Sequence, residues 1–239
     1  MNFIVSGDGV FFAEQGEGRT AGEPAVFFRL HHCNLACAWC DTPYTWKKEL
    51  PEFTMEREVW SIDETARKIR EEWERGGIKN KPPRLVITGG EPLLQQSAII
   101  ELLKKPEMKD WKIEIETNGT ITPSKEISPD VQFNCSPKLE NSGLAKIRRL
   151  NAEALFALAK RNTYFKFVVK NEEDIDELVK TYDPYIFTMQ KNRIFISPEG
   201  VTADALDEVI AKIIWRTAKE GYNLGDRLQI RKHGNKRRT

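Results

Sequence analysis

AVFFRLHHCNLACAWCDT, residues 25–42, decides how this chain is read. Its opening, AVFFRL (25–30), is apolar apart from Arg29 and reads as a buried strand. The strand runs without a break into a loop holding three of the chain's four cysteines, at 33, 37 and 40, with Trp39 just before the last. In parallel α/β architectures the carboxyl ends of the strands carry the site, so a strand that empties into a cysteine-rich loop predicts one here.

Outward from this stretch, helical and strand patterns alternate. SIDETARKIREEWERGG (61–77) has Ile62, Ala66, Ile69 and Trp73 at helical spacing and ends on a glycine pair. RLVIT (84–88) is a short apolar strand, and a helix around 95–104 carries Ile99, Leu102 and Leu103. KIEIET (112–117) alternates cleanly, as a strand does. VQFN (131–134), FKFVV (165–169), RIFIS (193–197) and RLQI (227–230) read as further strands, with helices near 152–161, 172–181 and 203–219 between them. The last helix places Leu206, Val209, Ile210, Ile213 and Ile214 on one face. No repeat or low-complexity segment interrupts the series.

Strands alternating with helices predict βα units and a mainly parallel sheet. About six units are too few to close an eight-fold barrel. The expected fold is therefore α/β, an incomplete, TIM-like β/α barrel in a single domain spanning residues 1–239. Residues 43–60 show no period and carry Pro43 and Pro51, which predicts a loop or small insertion over the cysteine site.

A net charge of +1 supplies no global field to draw the chain to nucleic acid or membrane. No apolar run approaches the roughly 18 residues that span a bilayer, and the N-terminus lacks the pattern of a signal peptide. The expected setting is cytoplasmic and reducing, where clustered cysteines point to metal or redox chemistry rather than to disulfides.

Polar segments recur where the strands end: Thr88-Gly89-Gly90-Glu91-Pro92, Glu116-Thr117-Asn118-Gly119-Thr120, Ser136-Pro137-Lys138 and Ser197-Pro198-Glu199-Gly200. These loops and the cysteine loop should converge on one mouth. The residues alone leave three readings of the cysteines. They are three small, partly buried thiols, or a structural zinc site completed by Cys135 and one of His31 or His32, or an iron–sulfur cluster. Three thiolates on a four-iron cube leave one iron open to a cofactor. Gly89 and Gly90, lacking Cβ, would let the backbone approach a ligand, or simply turn.

The spacing Cys33-x3-Cys37-x2-Cys40, with an aromatic before the last cysteine and a GGEP loop after a later strand, resembles the radical S-adenosylmethionine superfamily. EQGEGRTAGEPAVFFRLHHCNLACAWCDT (14–42) narrows this. Gln15-Gly16-Glu17-Gly18, Gly22-Glu23-Pro24, Arg29-Leu30 and Asp41-Thr42 resemble the 7-carboxy-7-deazaguanine synthase signature, as do TGGEP (88–92), ETNGT (116–120), CSPK (135–138) and HGNKRRT (233–239). The resemblance runs from about residue 3 to the C-terminus.

It implies a radical carbon–nitrogen lyase of queuosine or other 7-deazapurine biosynthesis. The enzyme contracts the ring of 6-carboxy-5,6,7,8-tetrahydropterin to 7-carboxy-7-deazaguanine with loss of ammonia. The implied cofactors are a 4Fe-4S cluster on Cys33, Cys37 and Cys40, S-adenosyl-L-methionine, and Mg2+ on Thr42. Trp39, Gly90, Glu116, Ser136, Pro137 and Lys138 would line S-adenosylmethionine; Glu14, Gln15, Gly16, Glu17, Arg29, Thr88, His233 and Thr239 would meet the substrate. No catalytic group beyond the cofactor radical is implied. An electron donor such as flavodoxin or ferredoxin, and a homodimer, follow from the same resemblance.

Each assignment has a plainer counterpart. Thr42 could be a capping hydroxyl, Arg29 the partner of a strand-end carboxylate, Gln15 and Glu17 an exposed polar turn, and Lys138 a solvated lysine. His31-His32 departs from the family's small residue; a histidine there either tunes the cluster by hydrogen bonding to sulfur or lies at the surface, which is the expectation, and Cys135 reads as a small buried residue. The basic tail, residues 231–239, either contacts nucleic acid or folds over the site; Arg237-Arg238 replaces the family's usual Arg-Gly. Two rivals remain: an activase that installs a glycyl radical on a partner protein, and a non-enzymatic metal module on RNA.

Overall fold

The computed structural model describes residues 1–186 and 191–237. Its nine-stranded sheet opens with β1 (Asn2–Glu14), which is antiparallel to both β2 (Pro24–Leu30) and β3 (Arg57–Ser61). From β2 onward the neighbours are parallel: β4 (Arg84–Gly89), β5 (Lys112–Thr117), β6 (Gln132–Cys135), β7 (Thr163–Val169), β8 (Ile194–Pro198) and β9 (Asn223–Leu224). The order β3-β1-β2-β4-β5-β6-β7-β8-β9 ends on two different edges, so the barrel stays open. The parallel strands β2 and β4 to β8 are the expected series of about six.

The helices are α1 (Pro51–Met55), α2 (Ile62–Gly76), α3 (Gln96–Leu103), α4 (Lys146–Arg149), α5 (Ala152–Ala159), α6 (Glu172–Glu177), α7 (Asp183–Ile186), α8 (Ala203–Glu220) and α9 (Leu228–His233). The predicted long helices have explicit ends. Ser61 caps α2 by accepting the Glu64 N–H at 3.1 Å, and Gly77 closes it in the left-handed region. Thr202 and Gly221 do the same for α8. Ile62, Ala66 and Ile69 turn inward as their spacing requires, as do Leu206, Val209 and Ile213.

Strand alternation divides the chemistry. On β2, Val26, Phe28 and Leu30 enter the main core with Ile87, Ile115, Phe133, Phe165, Phe167 and Ile196. The other face of β2 gives Ala25 and Phe27, which pack with Ala13 and Val86, and Arg29. A period of two thus puts Arg29 on the side of the sheet opposite the core.

Five expectations change. RLQI forms the first turn of α9, not a strand; four alternating residues cannot separate the two periods, and the chain leaves the sheet after the two-residue β9. Residues 43–60 are not all loop: residues 57–60 begin β3, where Trp60 pairs with Phe3. The partner strand β1 carries a bulge, with Val5 opposite Leu30 but Val10 opposite Phe28. Gly7 and Gly9 take φ of +59° and +62° there, so a stretch that resembles a turn is one bent strand. His31 is fully buried rather than on the surface; its Nδ1 lies 2.9 Å from the Ser6 Oγ, and burial lowers its pKa to about 4. Ile214 is 41% exposed, because it is rotated about 100° past Ile213. The predicted helix at 172–181 continues past α6 as a π-helical turn, Leu178–Tyr182.

Phe28→Ala is expected to cost about 3–5 kcal/mol for a cavity in the main core, against about 1 kcal/mol for the lost cap in Ser61→Ala. Urea unfolding of both variants measures the difference.

Candidate active site

At the carboxyl ends of the parallel strands lies a cavity of about 330 Å³, lined by Phe27 and Arg29 of β2, Thr88 of β4, Glu116 of β5, Asn134 of β6 and Lys166 of β7. That volume suits a small-molecule ligand. The cysteine loop forms one wall, with Cys33, Cys37 and Cys40 all facing in.

The end of β4 seats that loop. A Cβ on Gly89 would fall 2.2 Å from the Leu30 carbonyl oxygen, and one on Gly90 would fall 2.0 Å from that of His32. The two glycines therefore serve a close approach, as expected, but mainly to the cysteine loop's own backbone. The Gly90 N–H donates to Leu30 O at 3.1 Å and the Glu91 N–H to His32 O at 2.8 Å. Glu91 is fully buried, and its carboxylate accepts from Leu93 N, Thr117 Oγ1 and Asn118 N. Burial raises its pKa despite those bonds. Asn118 in turn donates to Asn34 Oδ1 at 2.9 Å and lies 4.0 Å from Cys33 Sγ.

Burial pushes the Cys33 thiol up to about 11; it raises Cys37 too, although Lys138 opposes this. Trp46, on the segment after the loop, donates its indole N–H to Cys40 Sγ at 3.3 Å. Thr42 Oγ1 lies 3.7 Å from the same sulfur. Cys135 is fully buried and packs beneath Gly119, away from the cavity wall. Neither His31, turned to Ser6, nor His32 nor Cys135 lines the cavity wall with the three cysteines, so the completing ligands of the zinc reading are not brought to them. Among the described residues no three His, Cys, Asp or Glu side chains converge on one ion.

The opposite wall is a polar network. Gln15, buried, donates to Glu116 Oε1 at 3.2 Å, and Thr88 donates to Glu116 Oε2 at 2.6 Å. Both oxygens of Glu17 are taken: Oε1 accepts from Arg227 at 2.9 Å and Gln229 at 2.6 Å, while Lys166 holds Oε2. Burial alone would raise the Glu17 pKa, but Lys166 and Arg227 hold it well below the usual carboxylate range. Arg29 differs from these: its guanidinium lies over Phe11, 5.5 Å from the ring centroid, and no acidic side chain pairs with it among the described residues. Lys138 bonds to Ser136 and lies over the Trp39 ring at 5.5 Å, so it is not a solvated lysine.

The cavity thus gathers Glu14, Gln15, Gly16, Glu17, Arg29, Thr42, Thr88, Gly90, Glu116, Trp39, Ser136, Lys138 and the three cysteines. Pro137 and His233 are not among the lining residues; His233 is exposed at the end of α9. The tail reaches the cavity instead through Asn235, Lys236 and Arg237. Thr239 lies outside the described residues. Sequence reasoning missed Glu91, Asn118, Trp46, Lys166, Arg227 and Gln229. Lys166 left a signal, being the one charge inside TYFKFVV on a strand that buries alternate residues.

Residues 29–128 match the family model of the radical SAM superfamily. A 7-carboxy-7-deazaguanine synthase from Pyrobaculum aerophilum is 31% identical, the alignment covering 95% of this chain and 94% of that one. Its counterpart in Rhodopirellula baltica is 30% identical over 96% and 86%. The chain belongs to the 7-carboxy-7-deazaguanine synthase family. The crystal structure of QueE from Escherichia coli superposes with a TM-score of 0.67 at 27% identity, covering 95% of each chain, in line with the partial barrel.

Membership in this radical SAM family brings a four-iron cluster and S-adenosylmethionine, and the donor set fits both. Three cysteines face one cavity, an N–H donor is aimed at one sulfur, and no fourth cysteine reaches in to close the last iron. Gly90→Ala is expected to unseat the cysteine loop, so iron content after reconstitution should fall well below wild type. Glu17→Gln should cost about 2–3 kcal/mol at pH 7, since it leaves the partly buried Lys166 without its ion-pair partner and Arg227 with Asp41 alone. The folded Glu17 carboxyl binds its proton less readily than the ordinary value of 4.5. Its stabilisation is therefore complete above that pH and is lost as pH falls below it. Urea unfolding at several pH values should show the gap between wild type and variant closing toward acid.

Proposed function

We propose that this chain is a radical carbon–nitrogen lyase that contracts 6-carboxy-5,6,7,8-tetrahydropterin to 7-carboxy-7-deazaguanine, with loss of ammonia, for queuosine or another 7-deazapurine. One observation carries the reading: Arg29, without an acidic partner, shares a cavity with three cysteines. A guanidinium so placed is available for bidentate pairing with a substrate carboxylate.

Cys33, Cys37 and Cys40 would hold the 4Fe-4S cluster. When bound, the cluster and S-adenosylmethionine supply the one-electron chemistry that opens the reaction. The chain's own residues bind and orient. Gln15 and Thr88, already joined through Glu116, present amide and hydroxyl groups to the pterin edge, next to the Gly16 backbone and Glu14. Glu17 acts one step back, because its carboxylate is committed to Lys166, Arg227 and Gln229. Trp39, Gly90, Glu116, Ser136 and Lys138 line the S-adenosylmethionine side, with Pro137 behind them. Thr42 offers a hard oxygen to Mg2+. His233 reaches the substrate only if the tail is rearranged; Thr239 is assigned to the substrate on the family resemblance alone. The chain works as one radical SAM domain over residues 1–239, as a homodimer in the cytoplasm, fed by a flavodoxin or ferredoxin. No described helix is long and apolar enough to cross a membrane.

Anaerobic turnover of reconstituted protein with dithionite, S-adenosylmethionine, Mg2+ and the pterin should give 7-carboxy-7-deazaguanine, read by mass spectrometry. 5′-Deoxyadenosine without ring-contracted product would move the glycyl-radical activase to the front. Arg29→Gln should lower kcat/KM about 30- to 100-fold, equivalent to about 2–3 kcal/mol of lost charge-assisted pairing, with iron content unchanged.

A further inference from the structure

Trp46 holds the one indole in the cavity wall whose N–H is directed at a cysteine sulfur. Two tryptophans line the cavity, Trp39 and Trp46. The Trp39 N–H is engaged elsewhere, on Asn141 O at 3.0 Å and Asn141 Oδ1 at 3.2 Å. Trp46 Nε1 donates to Cys40 Sγ at 3.3 Å. The indole nitrogen is a donor only, so it cannot exchange roles with the sulfur.

The local backbone fixes this geometry. Pro43–Thr45 form a 3-10 turn, with the Trp46 N–H on Pro43 O at 3.1 Å and the Lys47 N–H on the same oxygen at 2.8 Å. The Thr45 hydroxyl, fully buried, closes the turn on Thr42 O at 2.8 Å. The His32 N–H, on the near side of the cysteines, donates to Thr45 O at 2.9 Å. The turn is therefore tied to the cysteine loop from both ends, which fixes the Trp46 backbone and the point from which its indole reaches Cys40. The other side-chain donors near the sulfurs are more distant: Asn118 Nδ2 is 4.0 Å from Cys33 Sγ, and Thr42 Oγ1 is 3.7 Å from Cys40 Sγ.

A hydrogen bond to a cluster sulfur favours the form that carries more negative charge, which is the reduced one. We propose that Trp46 is a tuning residue that acts through Cys40 and raises the reduction potential of the cluster, easing its one-electron reduction by a low-potential donor. The inference rests on the cluster reading above, but not on the identity of the substrate.

The test is a potentiometric titration of the reconstituted protein, with the reduced cluster followed by electron paramagnetic resonance. Trp46→Phe keeps an aromatic ring and removes the N–H donor along with part of the indole's bulk. Its midpoint potential should move to a more negative value while iron and sulfide content and signal shape stay as in wild type. Trp46→His, which retains a ring N–H, should recover part of the shift. An unchanged potential in a fully loaded Trp46→Phe protein would overturn the inference. If that variant fails to load, the wild type labelled with 15N-indole tryptophan decides. A 15N coupling to the reduced cluster in pulsed spectra supports the bond, and its absence overturns it. A wild type that binds no cluster sinks the reading underneath. A failed ring-contraction assay, with the potential shifted as stated, removes only the substrate.

Discussion

Everything at the site depends on a backbone contact that only glycine permits. The carboxyl end of β4 lies against the carboxyl end of β2 so closely that a side chain at position 89 or 90 would overlap the Leu30 or His32 carbonyl. Two N–H groups from this corner, those of Gly90 and Glu91, bond to those same two oxygens. His32 adopts a left-handed φ of 76° as the chain turns, a conformation disfavoured for a residue with a Cβ. The next element is held by Glu91. A buried carboxylate is costly unless its lone pairs are used, and three donors from its own loop and the β5 loop use them. One corner thereby fixes the relative position of three loops, including the one that carries the cysteines.

The period of the strands then decides which side chains the corner faces. Arg29 pairs in register with Thr88 across β2 and β4, and Glu116 with Asn134 across β5 and β6. These four and Lys166 of β7 line the cavity, whereas their neighbours Phe28, Ile87, Ile115, Phe133, Phe165 and Phe167 fill the core. One polar layer and one apolar layer arise from a single alternation. Below the polar layer, Glu114 is closed off by Arg84, Thr20 and Asn134. The sheet therefore presents functional polarity near its carboxyl end and satisfied polarity beneath it.

This logic explains what could be read from the residues. Strands with a clear period, such as KIEIET and FKFVV, and helices with caps, such as 61–77, were legible because local geometry determines them. So was the convergence of the loops, which follows from parallel topology. What escaped reading depends on distant partners. β1 contains a Gly-Asp-Gly that signals a turn, and only its pairing with β2, which shifts register between Val5 and Val10 while the Trp60 ring packs over Gly9, shows it to be a bulge in one strand. The burial of His31 depends on Ser6, and the role of Glu91 on Asn118, each contributed by a separate element. A fully buried acid in a GGEP loop looks the same in sequence as a solvated one.

Charge pairing accounts for Arg231, Lys232 and Arg237 of the basic tail and for Arg227 ahead of it. Arg227 binds Glu17 and Asp41, Arg231 binds Asp207 and Asp226, Lys232 binds Glu14, and Arg237 binds Glu56 while lying 3.8 Å from the Tyr44 ring centroid. A surface built to neutralise phosphates needs cations free to displace counterions. These four are instead matched to carboxylates of their own chain, several of them on the N-terminal half. The Leu228 N–H adds a backbone bond to Gly16 O at 3.0 Å. The C-terminal segment is thus an ion-paired strap that joins the far edge of the open sheet to the loop after β1. An incomplete barrel leaves a gap between its edge strands, and a strap that carries positive charge to acidic residues on the other side spans that gap without a closing strand.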